Sequence, residues 1–297
     1  MTSSDLHFDQ SLPAVYGVAE RLSPRIERLL AHNPSPFTFR GTGVYLVGDG
    51  KSVVVIDPGP NDPEHITSLL AAIGSRKVNH ILITHTHRDH SPAAAALKDA
   101  TGAKTYGYGP HARHDGDVEE GGDHDFVPDV TVRDGDAIAS EAGHFRCVFT
   151  PGHTSNHMCF ALEEEQALFT GDHVMGWSTT LIAPPDGDMG DYMKSLEKLI
   201  ARKDSILYPT HGSPIIKPAP FLRAYLSHRK MRESQIARAI KRGKNTVPLL
   251  VETLYAGLSP ALVRAARLTV EAHLLHMAKD KRVDALPDGR YELSVAR

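Results

Sequence analysis

The first 218 residues alternate between runs with the apolar spacing of strands and runs with that of helices. The stretch VYLVGDGKSVVVID predicts a hairpin, because two β-rich runs flank a GDG turn. Residues 62–74 predict a helix, with Asp62 as its N-cap, Pro63 in its first turn and Gly74 beyond its end. Further helices are predicted after Pro92 and over about residues 188–202. The alternation indicates a layered fold of sheets and helices.

Five apolar runs in this region end in side chains that can bind metals. They are followed by Asp57, the segment 85–90, His153, Asp172 and His211. Strands of one layered fold that all end in His or Asp can bring these side chains together at one rim, held rigidly from below. A single histidine after a strand is more often structural, but the five together predict a common site.

The segment THTHRDH, residues 84–90, has the spacing of a metal site. If the chain stays extended, His85 and His87 point the same way and can reach one cation. A turn at Arg88 then directs Asp89 and His90 toward a second cation. Histidine with carboxylate suits zinc, with manganese or iron as alternatives, and a carboxylate such as Asp172 can bridge two such ions.

Composition and charge divide the chain. It has 297 residues, which suits two domains. We place the boundary between residues 218 and 219, within the turn-rich segment SPIIKPAP. Residues 1–218 carry 18 basic against 29 acidic side chains (net −11), and residues 219–297 carry 15 against 7 (net +8). The apolar runs are too short to span a bilayer and the N-terminus lacks a signal-peptide pattern, so we expect a cytoplasmic protein without a membrane partner.

The ordered motifs IDPG, THTHRDH, PGHT, TGDH and THG resemble the metallo-β-lactamase superfamily of dinuclear hydrolases, over about residues 40–215. The resemblance implies the α+β class and an αββα sandwich, with the metals at one edge. It implies that one metal is bound by His85, His87 and His153. The other metal would be bound by Asp89, His90 and His211, and Asp172 would bridge the two. It also implies that Asp57 accepts a hydrogen bond from a ligand imidazole.

The regions around Asp172 and the C-terminal tail are similar to the lactamase-beta-2-like branch, which includes a single-strand-selective endoribonuclease and ends in a winged-helix-like domain. Secreted β-lactamases of the superfamily often have Cys where this chain has Asp172. Glyoxalase II shares the ligand set but has a different helical C-terminal domain. A phosphodiester such as single-stranded RNA is therefore the expected substrate, with a thioester or a lactone as alternatives.

The expected mechanism is attack by a hydroxide that bridges the two metals. We assign catalytic roles to Asp89, which would orient this hydroxide, and to Asp57. Ser178, Thr179 and Thr180 follow Asp172 closely enough to contact the substrate. A nucleic-acid-binding protein with a structural metal site is an alternative that the ligand count disfavours. Structural zinc sites usually have four protein ligands each, whereas seven ligands for two ions leave room for water.

The basic tail has two interpretations. Residues from about 220 to 243 predict a basic amphipathic helix, in which Arg229, Arg232, Arg238 and Lys241 could bind single-stranded RNA or another polyanion. Two further helices and a hairpin through PDG predict a winged-helix-like domain. Alternatively, the tail only walls the active-site cleft.

Overall fold

The computed structural model describes residues 6–48, 50–113 and 121–294. Within these ranges the first sheet has seven strands, hydrogen-bonded in chain order: Glu20–Arg21 (β1), Ile26–Leu30 (β2), Gly43–Val47 (β3), Ser52–Ile56 (β4), Lys77–Leu82 (β5), Lys104–Gly107 (β6) and Val130–Thr131 (β7). Strands β1 to β4 pair antiparallel, which confirms the predicted hairpin in β3 and β4, and β4 to β7 pair parallel.

Two helices connect the parallel strands of this sheet, Pro63–Ile73 (α1) and Ala93–Thr101 (α2). Helix α1 begins where the sequence predicts, because the Asp62 side chain accepts a hydrogen bond from the His65 amide. It ends at Gly74, whose φ of 61° is a conformation that favours glycine.

The second sheet has five strands among the described residues: Ala137–Ser140 (β8), Gly143–Phe149 (β9), Met158–Leu162 (β10), Ala167–Gly171 (β11) and Ile206–Pro209 (β12). Their order in the sheet is β12-β11-β10-β9-β8, and a 3-10 turn, Glu163–Glu165, joins β10 to β11. Only the β11 and β12 pair is parallel in this sheet, and helix Met189–Ala201 (α3) makes its crossover.

The two sheets pack face to face with helices outside. Tyr45 and Ile56 of the first sheet share the central core with Phe145, Phe160 and Phe169 of the second. Helices α1 and α2 cover the outer face of the first sheet, and α3 covers that of the second. This arrangement confirms the predicted αββα sandwich.

The C-terminal region contains Pro218–Lys241 (α4), Val247–Leu254 (α5), Pro260–Lys279 (α6) and a hairpin of Val283–Ala285 (β13) and Tyr291–Leu293 (β14). It has its own small core, which includes Ile236, Leu250, Val270 and Val283. Helix α4 belongs to both parts, because its first half packs in the outer layer of the sandwich. The predicted division after residue 218 falls in its first turn. No helix of the described ranges is both long and apolar enough to cross a membrane.

Candidate metal centre

The candidate ligands follow the carboxyl ends of strands from both sheets. Asp57 follows β4, the histidine-rich segment follows β5, and His153, Asp172 and His211 follow β9, β11 and β12. The structure brings their side chains together at one edge of the sandwich. Buried strands therefore hold the segments that carry these side chains.

Three imidazoles form the first cluster. Nδ1 of His87 lies 3.0 Å from Nε2 of His85 and 3.1 Å from Nε2 of His153. The outer nitrogen of His153 donates to the Leu181 carbonyl at 2.7 Å, and that of His85 lies 3.1 Å from Oγ1 of Thr84. These outer contacts orient the rings so that their other nitrogens converge on one point, as a metal ligand set requires.

Two histidines and a carboxylate form the second cluster. Oδ2 of Asp89 lies 3.4 Å from Nε2 of His90 and 3.2 Å from Nε2 of His211. The β2–β3 loop supports this cluster, because Thr42 Oγ1 donates to Oδ2 of Asp89 at 2.9 Å and the Gly41 carbonyl accepts from Nδ1 of His211 at 3.1 Å. The loop thus orients two of the three candidate ligands.

Asp172 lies between the two clusters. Its Oδ1 is 3.6 Å from Nε2 of His90 and 3.4 Å from Nε2 of His211, on the side of the second cluster. Its Oδ2 is 3.8 Å from Nε2 of His153 in the first cluster. Each carboxylate oxygen faces a different cluster, which is the arrangement that a bridging ligand needs.

Asp57 lies behind the ligands rather than among their inward-facing atoms. Its Oδ1 accepts from the Thr84 amide at 2.7 Å, and its Oδ2 accepts from Thr84 Oγ1 at 2.6 Å and from Nδ1 of His90 at 2.9 Å. The backbone of Asp57 has a φ of 48°, a conformation that Asp adopts more readily than most residues. Asp57 therefore fixes the His90 ring so that Nε2 is the nitrogen available to a metal.

Charge differs between the two clusters. Burial and the neighbouring imidazoles hold the pKa of His85 well below its usual value. Burial alone would also lower the pKa of His90 and His211, but the carboxylates of Asp89 and Asp172 have the opposite and larger effect. They raise the pKa of His90 well above its usual value and that of His211 to about 10. Burial would raise the pKa of both carboxyls, but the same histidines hold them well below the usual range. An entering cation must displace protons from this ion-pair array.

The residues present fit a pair of divalent ions. Nε2 of His90 and Oδ1 of Asp172 are buried, face each other at 3.6 Å and make no hydrogen bond with any described residue, so both atoms are available to a metal ion. Imidazole nitrogen and carboxylate oxygen suit zinc, manganese and iron. The first cluster would hold one ion and the second cluster the other, with Asp172 shared.

The predicted substrate contacts lie on the segment after Asp172. Thr180 is buried, and its hydroxyl donates to the Asp172 carbonyl at 2.8 Å, so the structure gives it a positioning role. Ser178 and Thr179 are half-buried, and contact of these two with a substrate stays a prediction.

Several residues around the site are not among the predicted ligands or substrate contacts. His157 and His173 are fully buried, and the ring of His157 lies 5.1 Å from that of His85. Phe39 and Trp177 stack at 4.9 Å, although they are far apart in the chain. Each is close in sequence to a residue that hydrogen-bonds to His211, Gly41 and Gly176 respectively. The two histidines lie in or just after the PGHT and TGDH motifs, which could have drawn attention to them, but no spacing rule links Phe39 to Trp177.

The comparisons with known proteins agree with this geometry. Residues 38–211 match the model of the Metallo-beta-lactamase superfamily. The chain belongs to this superfamily. Like other members of the metallo-beta-lactamase superfamily, it is a metal-dependent hydrolase. Residues 246–290 match the Beta-lactamase associated winged helix domain, which confirms the predicted winged helix and covers α5, α6 and the first strand of the final hairpin.

Relatives within the superfamily span most of the chain. A beta-lactamase-like protein 2 homolog of Caenorhabditis elegans is 34% identical over 89% of this chain and 88% of its own length, consistent with the predicted branch. An atrochrysone carboxyl ACP thioesterase of Claviceps purpurea (strain 20.1) is 32% identical over 84% of this chain and 78% of its own. The crystal structure of a metallo-beta-lactamase family protein from Thermus thermophilus superposes with a TM-score of 0.75 at 21% identity, covering 92% of this chain and 100% of that one.

Replacement of Asp57 by Asn is expected to weaken metal binding or activity by about 10- to 100-fold, the range for partners of metal-bound histidines. The amide removes the charge and leaves one oxygen in place of two, so it cannot accept from both the Thr84 amide and Nδ1 of His90 as the carboxylate does. Metal affinity can be measured by competition with a chelator. Asp99→Asn, an exposed change on α2, is the matched control. An Asp57→Asn protein with wild-type affinity and activity would contradict the role assigned to Asp57.

Proposed function

We propose that this hydrolase contains two zinc ions and cleaves acyl thioesters. The observation that carries this substrate class is the thioesterase relative, which is 32% identical over 84% of the chain. A thioester is the alternative to the phosphodiester that the branch resemblance implies. The carbonyl carbon of a thioester is the electrophile, and a thiol is the leaving group.

The two metals, when bound, would supply a water-derived nucleophile near neutral pH and Lewis-acid stabilisation of the developing oxyanion. Asp89 has the most exposed side chain of the second cluster, at 25%, so it is accessible to water and substrate. Its low pKa keeps it a carboxylate, so it orients a water proton by accepting a hydrogen bond. Thr42 holds it in that orientation.

The leaving group supports the choice of a thioester. The buried histidines near the site are poor proton donors, because burial holds the pKa of His157 well below its usual value and lowers that of His173 to about 3. The carboxyls of Asp89 and Asp172 are ionised. A thiol, whose pKa is about 8.5, leaves as an anion far more readily than an alcohol does and needs less help from a general acid.

An aromatic surface beside the second cluster could contact the acyl group. Phe39 stacks on Trp177 with an interplanar angle of 11°, and the guanidinium of Arg40 lies 4.9 Å from the Phe39 ring. Phe39 belongs to the same loop as Gly41 and Thr42, which contact the second cluster. A flat apolar acyl group could lie against this pair next to the reacting bond.

Single-stranded RNA is the second candidate substrate, favoured by exposed cations at the end of α4. Arg238, Lys241, Arg242 and Lys244 are exposed there. Arg229 is only 2% exposed, and Arg232 packs over Tyr255 at 4.4 Å and donates to the Leu254 carbonyl, so these two are poorly placed to bind phosphates. The polyanion surface is therefore smaller than the +8 charge of residues 219–297 suggests.

A substrate panel tests the proposal. Zinc-loaded protein is assayed with an acyl pantetheine thioester, a glutathione thioester, a lactone, single-stranded RNA and a phosphodiester dye ester, and Asp172→Asn protein serves as the background. We expect the highest kcat/KM with one of the thioesters. A higher kcat/KM with RNA, reduced by Gln substitution of the four exposed cations, would favour the second candidate. Hydrolysis of the lactone alone would contradict both.

A further inference from the structure

Residues 178–181 connect the candidate ligands to the C-terminal region. Oγ1 of Thr180 donates to the carbonyl of Asp172, the bridging residue, at 2.8 Å. The carbonyl of the next residue, Leu181, accepts from Nδ1 of His153 at 2.7 Å. Thr180 thus contacts Asp172, which lies between the clusters, and Leu181 contacts His153 of the first cluster.

Helix α4 holds the same segment from the other side. The hydroxyl of Tyr225 donates to the Ser178 carbonyl at 2.9 Å and accepts from the Thr180 amide at 2.7 Å. Nη2 of Arg229 donates to the Thr180 carbonyl. Tyr225 and Arg229 are 0% and 2% exposed, so these bonds do not compete with bulk water.

Arg229 has an unusual environment for a buried cation. Its guanidinium lies 5.1 Å from the ring of Tyr192 and 5.9 Å from that of Tyr225, and its Nε makes no hydrogen bond with any described residue. Arg229 forms no ion pair with any described carboxylate. A buried charge without a carboxylate partner generally destabilises a fold. Its presence beside residues 178–181, which contact two candidate ligands, is explained if it contributes to function at a cost in stability.

We infer that Tyr225 and Arg229 are positioning residues for the metal centre. They fix the backbone of Ser178 and Thr180, so that the Thr180 hydroxyl and the Leu181 carbonyl orient Asp172 and His153. Through α4, the C-terminal region therefore helps to fix the geometry of the metal site, in addition to any contact with substrate. The inference is independent of the substrate class.

The test compares Tyr225→Phe and Arg229→Met with two controls, Tyr255→Phe and Arg238→Met, which make the same chemical changes away from the segment. Zinc affinity is measured by chelator competition, and the visible spectrum is recorded after cobalt(II) substitution. The stability of each metal-free protein is measured by thermal unfolding.

We expect both positioning variants to bind zinc about 10-fold more weakly, the low end of the range for direct outer partners of metal ligands, because they act through Thr180 and Leu181. Their cobalt spectra should change, whereas both controls should match the wild type. Metal-free Arg229→Met should be as stable as the wild type or more stable, since a buried charge is removed. Arg229→Lys keeps a donor and should recover part of the affinity.

Wild-type zinc affinity and cobalt spectra in both Tyr225→Phe and Arg229→Met would overturn the inference. A loss of affinity accompanied by an equal loss of metal-free stability would also overturn it, because that result would indicate a general structural role. Tyr225→Phe retains the aromatic packing and supplies the answer if Arg229→Met does not fold. Failure of the thioester assay would leave these metal-binding measurements unaffected.

Discussion

Replacement of Asp172 by Asn is expected to lower kcat/KM by more than about 100-fold, beyond the range for residues that act behind the ligands. The carboxylate has one oxygen toward each cluster, at 3.4 Å from Nε2 of His211 and 3.8 Å from Nε2 of His153. A neutral amide offers one good oxygen ligand and no charge, so it cannot compensate two cations in the same way. The fold should survive, because the backbone contact from Thr180 to this residue remains.

The Asp172→Asn protein should be assayed with the best substrate of the panel after metal loading, and its metal content measured on the same sample. Asp191→Asn makes the same chemical change at a half-exposed position on α3 and should leave activity unchanged. Wild-type turnover by Asp172→Asn protein that holds both metals would show that Asp172 does not bridge them.

Metal removal is expected to abolish hydrolysis of the substrate without unfolding the protein near pH 6. The pKa of His211 is raised to about 10, so its pairing with the carboxylates stabilises the metal-free fold fully below the unfolded pKa of 6.5 and is lost as pH rises toward 10. The lowered pKa of Asp172 contributes stability above 3.8 that is lost as pH falls below that value. The ion pairs between these histidines and carboxylates therefore stabilise the metal-free protein most between pH 3.8 and pH 6.5.

The same charges predict how metal affinity depends on pH. Binding displaces protons from His90 and His211, so the apparent affinity for zinc should increase as pH rises from 6.5. Chelator competition at pH 6.0, 7.0 and 8.0 measures this trend, and thermal unfolding of metal-free protein over the same range measures stability. Hydrolysis by metal-free protein, or an affinity that falls with rising pH, would contradict the assignment of these histidines as ligands.

The sequence predicts much of the fold, and it predicts a set of candidate ligands whose side chains the structure brings together at one edge of the sandwich. Helix α1 is predictable because Asp62 and Gly74 satisfy local backbone requirements that do not depend on the rest of the chain. The candidate ligands are predictable because each follows a buried strand, and strands of a layered fold end at common edges. Ordered motifs then identify the superfamily, which the family match confirms.

The contacts that orient the ligands are much less visible in the sequence. Thr180 looks like a substrate contact because it follows Asp172, but its hydroxyl bonds to a carbonyl inside the site. Arg229 has the periodicity of a basic helix face, and only the packing of α4 against the sandwich makes it a buried residue. Both interpretations depend on side-chain direction and on partners distant in the chain, which charge and spacing do not specify.

The number of metal ions per chain tests the central claim most directly. Protein purified without chelator and loaded with zinc, manganese or iron in separate samples should be freed of excess ion and measured by elemental analysis. Two clusters that share Asp172 predict about two ions per chain in the most active sample. Full hydrolytic activity with one ion or none would contradict a dinuclear centre.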